Sequence, residues 1–171
     1  TNALKFCKEN KIPFISGTTG LSNKHLEGVT DAKKIIPILI ASNMSLGIAN
    51  IKNSIEKYLR SISKSVKCKI IEIHHTKKKD SPSGTALEIV KFLENYHANK
   101  IDGLIDVQSY RIGNIYGIHR IEFKSEEGST NFQHFAISRD VFALGALQAA
   151  RYINLMEIGE YSFNDFLNKK L

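Results

Sequence analysis

The sequence of 171 residues predicts an α/β protein made of two kinds of region. In the first region, short apolar runs end in polar turns and lead into a helix pattern, as in βα units with parallel strands. In the second region, one strand and one helix are followed by strands only, which favours an α+β domain with an open mixed sheet. A last helix pattern follows this sheet.

The first region contains two predicted strands and one predicted helix. Residues 12–16 form a short apolar run that ends at a turn with two glycines, and residues 35–41 form a second, buried strand. Residues 46–62 are predicted to be helical because their isoleucines and leucine recur on one face. These pieces fit the last βα units of a Rossmann-type dinucleotide-binding domain, where ligand groups lie at the carboxyl ends of the strands.

The second region begins with a strand at residues 66–74, where apolar and polar residues alternate and β-branched residues are frequent. A helix follows, since Ala86, Ile89, Val90 and Leu93 have the spacing of one buried helix face. Ser83 is placed to cap its first turn. Three further strands are predicted at residues 104–111, 115–124 and 131–138, and a helix at 141–156.

Composition limits the classes of function. The net charge of +7 leaves a basic nucleic-acid-binding module as an alternative, but the lysines are scattered and no zinc-finger or RNA-binding aromatic motif is present. No apolar run approaches the roughly 20 residues of a membrane span. The two cysteines, Cys7 and Cys68, lack metal-ligand spacing and fit reduced thiols, which favours a cytoplasmic protein.

The loop at residues 72–86 concentrates the chemistry of the chain. It places two histidines, three lysines and a Ser-Gly-Thr turn between a strand and the start of a helix. The amino end of a helix attracts anions through its free N–H groups and its dipole. Cations, an anion site and a proton donor together indicate an enzyme site for a carboxylate or phosphate substrate, with a small dicarboxylate favoured.

At residues 74–86, the sequence His-His-Thr-Lys-Lys-Lys-Asp-Ser-Pro-Ser-Gly-Thr-Ala resembles the signature loop of the dihydrodipicolinate reductase family. Segments at 17–20, 43–47 and 138–146 resemble the same family in the same order. The resemblance implies NADH- or NADPH-dependent reduction of a cyclic imine dicarboxylate in lysine and diaminopimelate biosynthesis, in a homotetramer that requires no metal. It also implies a dinucleotide-binding part at residues 1–45, a substrate and oligomerisation domain at 46–139, and a C-terminal helix at 140–171 that returns to the first part.

The resemblance assigns roles to particular residues. The catalytic residues are His74, in proton transfer, and Lys78, as proton donor. The substrate-binding residues are His75, Ser83, Gly84, Thr85 and Arg139, the last with a pairing to Asp140 as its alternative. The cofactor-binding residues are Gly17, Thr18, Thr19, Ala41, Ser42, Asn43 and Met44. His119 and His134 lie in strand patterns and are expected to be structural.

No glycine-rich dinucleotide fingerprint precedes Gly17. Because family members begin with such a fingerprint, we expect the chain to start inside the cofactor domain, without the strands that hold the pyrophosphate. This leaves a second alternative, an inactive fragment that keeps the substrate domain and its oligomer contacts. Binding of pyridine-2,6-dicarboxylate would support the reductase interpretation, whereas a salt-dependent shift with DNA or RNA would support the nucleic-acid module.

Overall fold

The computed structural model of the protein describes residues 2–18 and 21–170. The helices are α1 (Asn2–Glu9), α2 (Asn23–Ala32), α3 (Leu46–Ser61), α4 (Gly84–His97), α5 (Asp140–Tyr152) and α6 (Phe163–Lys170). The strands are β1 (Phe14–Ser16), β2 (Pro37–Ile40), β3 (Lys67–His74), β4 (Asp106–Arg111), β5 (Ile118–Ser125), β6 (Gly128–Phe135) and β7 (Gly159–Tyr161). The chain divides into two compact units.

The first unit comprises the described residues up to Ser45 and those from Phe142 onward. Its parallel sheet has the order β1-β2-β7, and β2 pairs with both neighbours. A small apolar core fills the space between this sheet and the first two helices, formed by Leu4, Val29, Ala32, Ile36 and Ile38. The carboxyl ends of β1 and β2 are adjacent, since Ala41 N–H donates to the Ser16 carbonyl at 3.1 Å. This adjacency is the arrangement that two successive βα units predict.

The second unit, Leu46–Val141, is built on a four-stranded sheet of order β4-β3-β5-β6. β3 runs parallel to β4 and antiparallel to β5, and β6 forms a hairpin with β5. Helices α3 and α4 cover one face of the sheet and share a core with it, whose fully buried members include Ile55, Leu59, Ile70, Ile89, Leu93, Ile121 and Phe123. The burial of this apolar surface is the main stabilising contribution to the unit.

The predicted α/β class with a parallel and a mixed sheet is confirmed, with differences at the element ends and in the place of α3. This helix was grouped with the Rossmann-type region, but it belongs to the second unit, where Ile55 and Leu59 pack into the core. β4 begins at Asp106 and not at residue 104, and Leu104 is 96% exposed. The helix predicted at 141–156 ends at Tyr152 and is followed by a 3-10 turn, Ile153–Leu155. α2, β7 and α6 were not predicted. The functions assigned to residues 1–45, 46–139 and 140–171 stay predictions.

Within residues 2–18 and 21–170, no helix combines the length and the apolar content that crossing a bilayer requires.

Candidate active site

The carboxyl end of β3 brings two ionisable side chains onto the buried face of the second unit. Side chains alternate along a strand, so Cys68, Ile70, Glu72 and His74 all point toward the helices. Glu72 is completely buried and His74 is 7% exposed. A buried carboxylate is unfavourable unless it is paired and hydrogen-bonded, so the partners of Glu72 define the site.

The two oxygens of Glu72 have different partners. Oε1 accepts from Nη2 of Arg111 at 3.0 Å and from the Ser83 N–H at 3.2 Å, while Oε2 accepts from Nδ1 of His74. Arg111 reaches the carboxylate because it lies opposite His74 in the parallel register of β3 and β4. Burial acts to raise the pKa of Glu72, but hydrogen bonds from Ser109, Arg111 and His74 together outweigh it and lower the pKa. Glu72 is therefore an ion at neutral pH.

The ring of His74 is oriented by this carboxylate. Since an ionised carboxylate can only accept, the neutral ring carries its proton on Nδ1 and leaves Nε2 unprotonated. Burial lowers the pKa of His74, opposed by Glu72 and assisted by the charges of Lys78 and Arg111. A Cβ on Gly117 would lie 3.0 Å from Nε2, so the glycine leaves this nitrogen the space that another residue would fill.

His119 and Ser83 form the inner wall of the site. The two rings of His74 and His119 meet edge to face with centroids 5.1 Å apart. Nε2 of His119 lies 3.2 Å from Oγ of Ser83, which also accepts from the Ala86 N–H at 3.2 Å and so caps α4. Burial above all lowers the pKa of His119 to about 3, and the charge of Lys78 acts in the same direction. His119 is therefore neutral, in keeping with the structural role expected from the sequence.

The loop that follows β3 carries the predicted proton donor. Nζ of Lys78 lies 2.8 Å from Oδ1 of Asp80, and the Asp80 carbonyl accepts from Arg111. The hydrogen bond from Lys78 lowers the pKa of Asp80, and the Gly84 backbone acts in the same direction. Asp80 therefore links the ammonium group to the amino end of α4. Lys77 and Lys79 are exposed.

The predicted substrate-binding residues have different surroundings. His75 follows β3 and is half-buried, and because it comes directly after His74 we expect its side chain on the other face. Gly84 opens α4, and a Cβ there would meet nothing within 4 Å. Ser83 is 1% exposed, with its hydroxyl engaged in the cap. Thr85 is half-buried and Arg139 is exposed before α5, and their roles with substrate stay predictions.

The predicted cofactor residues lie at the adjacent ends of β1 and β2. Gly17 and Thr18 are exposed after β1, and the Thr18 N–H donates to Oγ of Ser16 at 3.2 Å. After β2, Ala41 is half-buried, Ser42 is exposed, and Asn43 and Met44 are buried. Asn43 Oδ1 accepts from the Ser45 N–H at 2.7 Å, which fixes this turn. The predicted contact at Thr19 lies outside the described residues.

Glu72, His74 and His119 also have the composition of a metal site, with their ligand atoms within 4.8 Å of one another. Their hydrogen bonds argue against this use. An ion would compete with the Arg111 guanidinium for the carboxylate and would displace the proton between His74 and Glu72. It would also take Nε2 of His119 from Ser83. Both oxygens of Glu72, Nδ1 of His74 and Nε2 of His119 already have hydrogen-bond partners in the protein, and we do not assign the cluster as a metal centre.

Three members of the site were missed or given too small a role by the sequence analysis, namely Glu72, Arg111 and Gly117. Glu72 could have been found, because it lies two residues before His74 on the same strand face. Arg111 gives no local signal, since its approach depends on the parallel register of β3 and β4. Gly117 depends in the same way on the pairing of β5 with β3.

Comparisons with known proteins agree with the fold and with the family resemblance of the sequence. The family described as "Dihydrodipicolinate reductase, N-terminus" matches residues 1–44, and "Dihydrodipicolinate reductase, C-terminus" matches residues 47–167. The match of both halves defines the class of the protein, an oxidoreductase that uses a nicotinamide cofactor. The chain belongs to the dihydrodipicolinate reductase family.

Individual relatives support this membership. The chain is 37% identical over 180 residues to the 4-hydroxy-tetrahydrodipicolinate reductase of Alkaliphilus oremlandii (strain OhILAs), covering 98% of this chain and 75% of that protein. It is also 37% identical to the reductase of the same name from Bdellovibrio bacteriovorus, covering 96% of this chain and 69% of the relative. The dipicolinate-bound dihydrodipicolinate reductase from Paenisporosarcina sp. TG-14 has the same fold, with a TM-score of 0.75 and 20% identity. That alignment covers 94% of this chain and 66% of the solved one.

Proposed function

We propose that this chain carries the site that reduces 4-hydroxy-tetrahydrodipicolinate to tetrahydrodipicolinate, with NADH or NADPH, in lysine and diaminopimelate biosynthesis. The observation that carries the proposal is the convergence at one end of β3 of the Glu72–His74 pair, the Lys78 ammonium and the amino end of α4. Relatives that bear the name of this reductase support the same reaction.

The proposed chemistry of the chain is proton delivery. When bound, the nicotinamide cofactor supplies a hydride, and hydride addition to a C=N bond leaves negative charge on the nitrogen or on an adjacent carbon. Lys78 is the proposed donor to that charge, and its ammonium group also stabilises it. His74 takes part in proton transfer through Nε2, the nitrogen that does not face Glu72. Proton donation by a placed side chain typically accelerates such steps about 10²–10⁴-fold.

The proposed substrate contacts are those that recognise carboxylates. One carboxylate is held by Lys78, His75 and the backbone at Gly84 and Thr85, where the first turn of α4 presents its N–H groups. Gly84 permits this approach because nothing occupies the position of a Cβ. Ser83 acts by capping α4, since its hydroxyl is engaged with Ala86 and His119. Arg139 is the proposed contact of the second carboxylate.

The proposed cofactor contacts are in the first unit. The residues at the adjacent ends of β1 and β2 are the proposed contacts of the nicotinamide end of the cofactor, and Gly17 lies there beside Ala41 and Met44. Thr18, Thr19, Ser42 and Asn43 complete the proposed contacts.

The proposed reaction is tested by following NADH and NADPH oxidation in the presence of freshly generated substrate. We expect substrate-dependent oxidation that is lost in Lys78→Ala and retained in Lys79→Ala, an exposed lysine of the same loop. Binding of pyridine-2,6-dicarboxylate without oxidation of either cofactor would favour the alternative of a substrate-binding fragment. The absence of both binding and oxidation would refute the proposal.

We further propose that the protein is a homotetramer assembled through the face of the β4-β3-β5-β6 sheet that α3 and α4 leave open. Phe135, which is 54% exposed on β6, and the half-buried Ile71 and Ile73 of β3 provide an apolar surface there. A second copy of the sheet is the proposed occupant. Light scattering after size-exclusion chromatography tests this, with a smaller species expected for Phe135→Lys and an unchanged one for Lys57→Ala, an exposed lysine of α3 on the covered side of the sheet.

A cytoplasmic location is part of the same proposal. Both cysteines are free thiols, Cys68 being buried and Cys7 half-buried. Burial raises the pKa of Cys68 to about 12, which keeps this thiol protonated and unreactive. Free thiols of this kind are typical of reducing compartments.

A further inference from the structure

We infer that Glu72 is the positioning residue of His74. It holds the ring with its proton on Nδ1 and directs Nε2 into the space beside Gly117. The inference rests on the proposed function, in which His74 takes part in proton transfer. Glu72 itself touches no reacting atom in this account, and it acts through the histidine.

The two oxygens of the carboxylate divide this task. Arg111 and the Ser83 N–H both donate to Oε1 and anchor the group to β4 and to the start of α4. Oε2 accepts from His74. A carboxylate that only filled space on a buried strand face would be replaced without loss by an apolar side chain, because burying an ion is unfavourable. Because Glu72 is ionised, it can instead orient the His74 ring and favour the protonated form of that ring.

The charges around His74 explain why this carboxylate is needed. Arg111 on β4, Lys78 in the loop after β3 and His119 on β5 surround the ring, and burial and both cations disfavour its protonation. Glu72 on β3 is the group that opposes them. Without its charge, the pKa of His74 falls further below its ordinary value, so the ring takes up a proton at Nε2 less readily.

The division of the oxygens gives Glu72→Gln a specific consequence. Glutamine has one oxygen, and Arg111 and the Ser83 N–H, which can only donate, require it at the Oε1 position. The amide nitrogen then faces Nδ1 of His74 and donates to it. A ring that accepts at Nδ1 must carry its proton on Nε2, so the variant reverses the tautomer of His74.

Nitrogen-15 NMR of histidine-labelled protein measures this directly, with the His74 signals identified from a His74→Gln sample. We expect the Nδ1-protonated tautomer in the unaltered protein and the Nε2-protonated tautomer in Glu72→Gln. Glu122→Gln is the matched control, because Glu122 is a half-buried carboxylate of β5 whose replacement should leave the His74 signals unchanged. An unchanged His74 tautomer in Glu72→Gln would overturn the inference.

Kinetics supply the second readout. We expect Glu72→Gln to lower kcat on the order of 10²-fold, with little change in KM, and to move the pH limb that reports His74 to lower pH. Glu72→Asp keeps the charge and should keep the limb, even if kcat falls. If Glu72→Gln does not fold, Glu72→Asp is the variant measured in its place. A lower kcat with an unmoved limb in Glu72→Gln would mean a structural role only. If the unaltered protein shows no reductase activity, the proposed function fails, whereas the NMR experiment still decides the positioning role.

Discussion

Nζ of Lys78 lies 2.8 Å from Oδ1 of Asp80, so the ammonium group that is proposed to bind the substrate is already paired with a carboxylate of the chain itself. The Gly84 backbone acts on the same carboxylate. Asp80 thus binds the Lys78 ammonium and the Gly84 backbone, two of the groups that are proposed to hold a substrate carboxylate. A bound dicarboxylate has to displace it or share these partners.

The first prediction concerns this competition. Asp80→Asn removes the competing charge, and we expect pyridine-2,6-dicarboxylate to bind about 2- to 5-fold more tightly, the range for a partly exposed ion pair. Calorimetry measures the dissociation constant. Asp106→Asn is the control, since Asp106 pairs with Lys69 on the same sheet at 3.6 Å and away from the loop. Weaker binding in Asp80→Asn would show that Asp80 instead holds Lys78 in place.

The second prediction concerns the two proposed catalytic side chains. We expect His74→Ala and Lys78→Ala each to lower kcat about 10²–10⁴-fold, because each removes a placed proton-transfer group. The melting temperature should change much less for Lys78→Ala, whose side chain is in the loop, than for the buried His74. Stopped-flow and steady-state rates measure the effect. Turnover close to normal in both variants would end the catalytic assignment.

The third prediction concerns the space beside His74. A Cβ at position 117 would lie 3.0 Å from Nε2 and 3.4 Å from Cδ2 of His74, so Gly117→Ala forces the ring to move by a few tenths of an ångström. Misplacing a catalytic group should lower kcat on the order of 10-fold or more. Gly28→Ala is the control, since its Cβ would make an ordinary 3.5 Å contact with Leu4. Equal rates for both variants would show that Nε2 does not need this space.

The fourth prediction concerns stability and pH. His119 stays neutral in the folded protein until the pH nears about 3, whereas an unfolded histidine takes up a proton below about 6.5. The unfolded state therefore binds more protons in this window, and the free energy of unfolding falls as the pH is lowered, by at most about 1.4 kcal/mol per pH unit for one group. Above about 6.5 this contribution to the pH dependence vanishes.

Urea unfolding at several pH values between 7 and 5 tests the fourth prediction. His119→Gln should show a shallower loss of stability with falling pH than the unaltered protein. His75→Gln, in the same unit, is the matched control for removing a half-buried histidine. Because His74, His97 and His134 also have lowered pKa values, through burial above all, the comparison of slopes isolates His119.

Local patterns predicted much of the second unit. The alternation at residues 66–74 predicted β3, and the spacing of Ala86, Ile89 and Leu93 identified α4. The Ser83 cap also followed from the sequence. These features depend on neighbours within one element, where side-chain direction follows from the backbone period.

The parts that were missed depend on distant pairing or on weak patterns. Arg111 and Gly117 reach the site through the register of β4 and β5 with β3, which no local pattern encodes. β7 has three residues, Gly159–Tyr161, and is too short for an alternation to be recognised. It forms because the edge of β2 offers a parallel pairing partner.

The loop after β3 is proposed to bind a dicarboxylate through Lys78 and the amino end of α4. Calorimetric titration of pyridine-2,6-dicarboxylate into the protein and into Lys78→Ala, Thr85→Val and Lys79→Ala measures it most directly. We expect saturable one-site binding that weakens at least about 10-fold in Lys78→Ala, the loss expected for a charge-assisted contact. We expect a smaller loss in Thr85→Val and none in Lys79→Ala. Equal affinity for all four proteins, or no binding to any of them, would contradict the claim.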